Sequence, residues 1–527
     1  MMTSLPHHCV LNERAPLSRR DLLGMAVIGA VAGAPAIARA AKPDGQLTWA
    51  VHISLAPTWL DPAETSGIIT PYMVLYALHD AMAKPMPGTL LAPGLAESWW
   101  ASEDAASYEF TLRSGATFHN GEAVTAEDVK FSFERYRGAS SALMKERVSA
   151  IETPDARHVL FRLKEPWPDF LTFYGSATGA AWVVPKKYLE KVGDDGFKKM
   201  PVGAGPYKFV SFKPGVELVV EAFDGYWRKT PSIKRIVMRS MPDEATRLAA
   251  LKRGEVDGCY WVSGELAAEV QRTPGLALKS CNTAPFWVYF PEQWDPKSPW
   301  HDLRVRRAAT LAIDRKSIND AITSGYSRLN NNAFVPPHFE FYWQPPDPVY
   351  DLAGAKRLLA EAGHAGGIDA GPFYCDAAFA NIAEAIVNNL REAGIRVSLR
   401  PIERAAFFKS YSEKKYDKGL IMGASAAFGN AATRLEAFVV KGGAYAYGSY
   451  PDIDELYPHQ AGELDHRKRE AILHKMQQLV HEKVIAAPVW WLAAIAGVGP
   501  RVGEATIGSM GGYPWLSPYE DVTLKAA

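Results

Sequence analysis

Cysteine is scarce, with four residues in 527, and no C-x-x-C occurs. That excludes a zinc ribbon and a thioredoxin-like redox pair. An excess of one charge is also lacking. Lys plus Arg and Asp plus Glu each number 58, so nothing electrostatic favours nucleic acid or an anionic membrane as a partner. No G-x-S-x-G elbow, H-E-x-x-H pair or P-loop is present. Gly203-x-Gly205 lacks the third glycine of a dinucleotide fingerprint and runs into Pro206. The familiar catalytic classes therefore have no motif here, and neither a metal nor a cofactor is expected.

The amino terminus does carry a pattern. Ser18-Arg19-Arg20-Asp21-Leu22-Leu23 is a twin-arginine pattern, Leu22 to Ala38 is uncharged, and Ala38-Arg39-Ala40 offers a small-residue cleavage site. This is the layout of a bacterial export signal. The uncharged stretch is too short and too rich in Gly and Ala for a membrane span, which needs ~20 predominantly apolar residues. Residues 1–40 are thus predicted to direct export to the periplasm, with cleavage near Ala40. Cys9 precedes the arginine pair and cannot carry a lipid at the cleavage point. Removing 1–40 leaves 54 basic and 56 acidic residues. An oxidising compartment permits a Cys259–Cys281 bridge, but free buried thiols are the expected state, because a bridge also needs matching geometry.

Strand-like and helix-like segments alternate through the rest, which predicts an α/β architecture. Gln46 to Ile53, Tyr108 to Arg113 and Val159 to Leu163 read as strands. Tyr207 to Phe212 pairs with Glu217 to Ala222, and Ile395 to Leu399 and Ala486 to Ala493 are further strands. Thr125 with Asp128 can cap a helix carrying Val129, Phe131, Phe133 and Tyr136. Pro242 to Arg253, Leu303 to Ala321 after Asp302, Asp351 to Ala362 closed by Gly363, Ala383 to Ala393 and Arg467 to Glu482 are predicted helices. His459, His466, His474 and His481 recur at seven or eight residues. Neighbours so spaced lie ~10 Å apart along a helix, too far to share a metal, so a solvated stripe is expected.

Ordered blocks run through nearly the whole exported length. They include Leu60-Asp61-Pro62, Leu91 to Trp99, Phe118 to Gly121 with Thr125 to Phe131, and Pro201 to Tyr207. Tyr226-Trp227, Leu251 to Asp257, Val305 to Asp314 and Tyr350 to Gly363 follow. Together they resemble the family 5 extracellular solute-binding proteins of ABC importers, which include dipeptide-, oligopeptide- and nickel-binding members. The resemblance implies a periplasmic-binding-protein type α/β fold: two hinged lobes, an extra domain inserted in the first, and a ligand buried between the lobes on hinge closure. Lobe I is placed at 42–80, 200–283 and 486–527, the inserted domain at 81–199, and lobe II at 284–485. The implied partners are an ABC permease with its ATPase and a small-molecule or short-peptide ligand bound by a monomer, without enzymatic turnover. The blocks themselves read as structural: glycines where backbones approach closely and a proline fixing a turn.

Relatives that bind peptides with a free amino terminus carry an aspartate in a Trp-rich segment after the strand near 420. Here Leu420 to Asn430 has no acid, and burying an unpaired ammonium would cost several kcal/mol. A peptide-like, opine-like, carboxylate or aromatic solute is expected, with ordinary peptides disfavoured. Candidate cleft residues are Tyr260 and Trp261 after the Glu-Val-Asp block, Trp287 and Tyr289 on the second crossing, and Tyr342 and Trp343 in a proline-rich loop. Ser425, Phe428 and Asn430 lie in the altered segment, and Arg404 and Arg434 could meet a carboxylate bidentately. Packing competes with contact for each aromatic, and an ion pair competes for each arginine. His52 reads as a core histidine. The competing functions are a secreted hydrolase with an unrecognised site and a non-transport sensor or metal-complex carrier.

Overall fold

The structure, a computed structural model, describes residues 42–65, 69–425, 429–505, 507–510 and 516–525. The export signal and Phe428 lie outside the described residues.

Buried apolar positions along Asp44–Val51 place this strand in the interior, parallel to both Ile233–Ser240 and Gly258–Tyr260. Antiparallel Tyr207–Lys213 and Glu217–Ala222 extend this side to its edge. The other side is built from Leu420–Ala424, Ile368–Asp376 and Ile395–Ile402. Two 13-residue strands, Ala277–Tyr289 and Ala486–Val498, join the halves. At one end Val498 pairs with Gly258, and at the other Tyr289 pairs with Ile421. A continuous eleven-stranded sheet results. Each crossing strand is about 44 Å long, and register shifts at Asn282/Ala284 and Phe286/Trp287 interrupt the ladder between them. Such shifts bend and twist a strand locally. The sequence boundary at 283/284 falls inside this crossing, and Ala486–Val498 is shared by both lobes.

Between 81 and 199 a separate four-stranded sheet forms, ordered Ala96–Ala101, Ser107–Leu112, His158–Leu163, Val148–Glu152. Its inward faces alternate as the sequence implies, with Tyr108, Phe110 and Leu112 buried. The helix Ala126–Arg135 begins after Thr125, whose backbone N–H donates to Asp128 at 2.9 Å.

One expectation changes in detail. Leu303 to Ala321 is two helices, Leu303–Ala312 and Arg315–Thr323, because Asp314 caps the second by accepting from Ser317 N. Cys259 and Cys375 are buried free thiols, the state expected of them. Cys259 pairs with Gly497 and Cys281 with Ala494, so strand Ala486–Val498 runs between them. The histidines face solvent as expected, with His459, His466 and His481 exposed and His474 half-buried. Helix His466–Glu482 excludes His459, which sits in Pro451–Gly462. His466 meets Glu340 at 3.1 Å, His474 lies 3.1 Å from the Tyr342 carbonyl, and His481 packs edge-on to Trp343. Those three histidines fasten the 338–345 loop.

Asp351 accepts from Gly354 N at 2.8 Å at the start of Leu352–Glu361. Asp351→Ala is expected to lower stability by about 1 kcal/mol, read as a shift of the urea unfolding midpoint.

Candidate functional site

A cavity of about 700 Å³ opens where three parts of the chain converge. Residues 56–59, Glu64 and Thr70 form one wall, and Arg137, Ser140, Phe173 and Ala177 reach in from the inserted region. Asp376, Phe379, the helix Arg404–Ser412 and the Thr433 to Tyr445 segment form the opposite side. Ala284, Phe286 and Leu492 come from the crossing strands themselves. The volume suits a small organic ligand, and aromatic walls with a few polar groups are usual for such sites. No helix among the described residues is long and apolar enough to cross a membrane.

Of the residues singled out by sequence, Arg404, Ser425 and Arg434 stand on this wall. Arg404 donates from Nη1 to Thr70 Oγ1 at 2.7 Å, pairs through Nη2 with Asp376 Oδ2 at 2.7 Å, and lies over the Phe379 ring. Arg434 donates to Ser425 Oγ at 2.7 Å and to the Phe334 carbonyl at 2.8 Å, and its guanidinium lies over Phe438.

The other candidates lie elsewhere. Tyr260 is buried edge-on to Trp49. Trp261 stands behind the wall, edge-on to Phe379, and its unusual φ of 57° coincides with an Arg247 bond to its carbonyl. Trp287 and Tyr289 are fully buried in the lobe II core, where Trp287 packs edge-on to Phe334 and Phe438. The reason is strand alternation: Ala284 and Phe286 face the cavity, so Trp287 and Tyr289 point away. Tyr342 and Trp343 sit in the loop against helix His466–Glu482. Asn430 caps Ala431–Phe438 and donates to Asp169 at 2.6 Å, tying lobe II to the inserted region. His52 is buried, and burial with the nearby charges of Arg404 and Arg247 holds its pKa well below the ordinary value.

Sequence reasoning missed most of the aromatic wall, including Trp59, Phe286, Phe379, Phe407, Phe408 and Tyr445. One signal was available. Arg404, Phe407 and Phe408 are spaced i, i+3, i+4 and so share a helical face.

The wall acids are engaged within the protein. Glu64 accepts from Arg137 at 2.7 Å and from Lys198 at 3.3 Å. Glu413 pairs with Lys415 at 2.6 Å. Asp376 faces Arg404; burial raises its pKa, and the guanidinium opposes the rise.

A two-lobed α/β sheet with paired crossing strands and a cavity between its halves defines a periplasmic-binding-protein fold. The chain belongs to the bacterial extracellular solute-binding proteins, family 5, whose middle-region model matches residues 91–446. It is accordingly the solute-binding component of an ABC import system, taking a small organic solute into the interlobe cleft. It is 27% identical over 452 residues to heme-binding protein A of Haemophilus influenzae, covering 79% of this chain and 81% of the relative. It is 25% identical to the dipeptide-binding protein of Escherichia coli, covering 76% and 80%. Among solved structures, DppA of Helicobacter pylori with peptide STSA superposes with TM-score 0.81 at 23% identity, over 92% of this chain and 98% of that one. AgaA of A. tumefaciens R10 with agropinic acid superposes with TM-score 0.80 at 25% identity, over 92% and 99%.

Proposed function

We propose that the protein is exported to the periplasm by the twin-arginine signal in residues 1–40, cut near Ala40. There, as a monomer, it captures a compact organic acid with an apolar or aromatic body and no free ammonium group. It hands this solute unchanged to a membrane permease driven by an ATPase. The observation that carries the ligand class is the state of the wall acids: Glu64, Asp376 and Glu413 each face a cation of the protein. A ligand ammonium would have to break one of these pairs or go unpaired, and an unpaired buried ion costs several kcal/mol. On the same wall Arg434 donates to Ser425 Oγ and to the Phe334 carbonyl, which hold its guanidinium in place. A guanidinium fork suits a carboxylate better than a point charge would. The rings of Trp59, Phe286, Phe407, Phe408 and Tyr445 offer the apolar body its contact area. Peptides, named for several relatives, are the natural comparison, and the opine acid named for AgaA fits the acid-bearing class.

Thermal unfolding across a solute panel tests this. A true ligand at 100 times its Kd stabilises the folded form by about 2.7 kcal/mol. Opine-type and N-blocked acids are expected to raise the midpoint, while free dipeptides and hemin leave it unchanged. Stabilisation by dipeptides or hemin alone overturns the reading. Arg434→Ala is expected to weaken binding of the active acid about 30-fold, corresponding to loss of one buried charge-assisted contact.

A further inference from the structure

The inserted region is fastened to lobe I by bonds that a hinge motion between the lobes leaves alone. Arg135 forks onto Asp61 at 2.7 and 2.8 Å. His119 donates its backbone N–H to the Gly203 carbonyl at 2.8 Å, and its Nε2 lies 3.0 Å from the Gly205 carbonyl. Contacts with lobe II lie across the moving seam instead, and two of them bracket one helix. Asn430, at the start of Ala431–Phe438, donates to Asp169 at 2.6 Å, and Glu436, near its end, accepts from Ser140 Oγ at 3.0 Å. Arg434 lies between these points on the cavity wall. Parting the lobes breaks both contacts and returns Glu436 to water.

The two contacts differ in charge. Asp169 faces the Arg469 guanidinium. The Glu436 carboxyl, 7% exposed, accepts from a hydroxyl. Lys414 spends its ammonium on the Gly443 and Ala444 carbonyls at 2.8 and 2.6 Å, and Arg147 lies over the Trp167 ring. Tyr457, on the neighbouring helix Pro451–Gly462, is kept neutral by burial and by the charges of Glu436 and Asp169. A carboxyl so placed keeps its proton at a pH where an exposed one has lost it. Burial raises its pKa from the ordinary 4.5 to about 7, against Ser140, Lys414 and Arg147.

We propose that Ser140 and Glu436 form a proton-held latch: with Glu436 protonated the inserted region grips the helix that carries Arg434, and loss of the proton lets the lobes part and the solute leave. Glu436 is a positioning residue, off the cavity wall and acting through that helix. The inference goes beyond the ligand class and holds for any solute enclosed by the lobes. Because the closed form holds this proton more tightly than the open one, opening becomes easier as pH rises from ~4.5 to ~7.

Stopped-flow tryptophan fluorescence gives the dissociation rate of N-acetyl-L-phenylalanine from the wild type and from Glu436→Gln, whose neutral amide cannot ionise. The ratio of the two rates, in which titration of the solute and of other groups cancels, is expected to rise at least ~10-fold between about pH 5 and 7.5. Ser140→Ala removes a hydroxyl that favours the carboxylate, so the rise is expected at higher pH. A ratio level across this range overturns the latch. A rise that Ser140→Ala leaves in place shows Glu436 titrating independently of the inserted region and overturns it as well. If N-acetyl-L-phenylalanine fails to bind and L-alanyl-L-phenylalanine binds, the organic-acid reading falls, and the same ratio taken with the dipeptide decides the latch.

Discussion

Arg469→Ala is expected to lower stability by about 3–5 kcal/mol, because it strands a carboxylate in the protein interior. Asp169, in the inserted region, is 2% exposed and faces the Arg469 guanidinium of helix His466–Glu482. Its other oxygen accepts from Asn430 at 2.6 Å. Arg469 in turn lies over Phe341 and reaches Gln460. With the cation gone, Asn430 alone cannot offset the desolvation of Asp169. The double variant Asp169→Asn/Arg469→Gln removes both charges and is expected to recover most of the loss, since the penalty belongs to the unpaired ion rather than to the pair. Denaturant unfolding of the three proteins provides the measurement. A loss below about 1 kcal/mol in Arg469→Ala would mean that water reaches Asp169 and that the seam between lobe II and the inserted region is open.

The chain announced its local structure well wherever a single residue decides it. Asp302, Asp351 and Gly363 mark helix ends as read, and the alternation in 107–112 gave the correct buried face. The ordered blocks also proved structural. Asp257 accepts from Thr48 N at 2.8 Å inside the sheet, and a Cβ on Gly203 would stand 2.0 Å from the Leu78 carbonyl oxygen. Only glycine allows that approach between the 203–207 segment and the end of helix Ile69–Leu78. The cavity was harder to read because its wall is drawn from three distant stretches and depends on which face each presents. On the crossing strand Ala277–Tyr289 the aromatic-rich face, Trp287 and Tyr289, belongs to the core, and the cavity-side face shows Ala284 and Phe286. Following the crossing strand led to Trp287 and Tyr289, which lie on its core face and do not line the cavity. Asp376 and Thr70 gain their meaning only through Arg404, 28 and 334 positions away, and no local pattern signals such pairs.

Glu436 sets the second large effect, a fall in stability as pH rises through neutrality. Its carboxyl is 7% exposed on helix Ala431–Phe438, directly behind the cavity wall, and accepts from Ser140 Oγ at 3.0 Å. Burial raises its pKa to about 7, against the weaker pull of Ser140, Lys414 and Arg147. In the unfolded chain the group returns to about 4.5. Between these values the folded form holds a proton that the unfolded form has released, so stability is fully present below pH ~4.5 and is lost as pH rises to ~7, by about 3 kcal/mol. Nearby groups do not produce this slope. Lys414, pulled down to about 8 by burial, is charged in both states throughout the window. His79 and His338, each held near 4 by burial, contribute the opposite slope, gaining stability as pH rises toward 6.5. The raw stability curve is therefore flattened by cancellation, and the informative quantity is the wild type minus Glu436→Gln, whose amide cannot ionise. That difference is expected to be level below pH 4.5, to fall by about 3 kcal/mol by pH 7, and to level again above it. A difference independent of pH would show that Glu436 stays ionised in the folded protein, with Lys414 or Arg147 as its true partner.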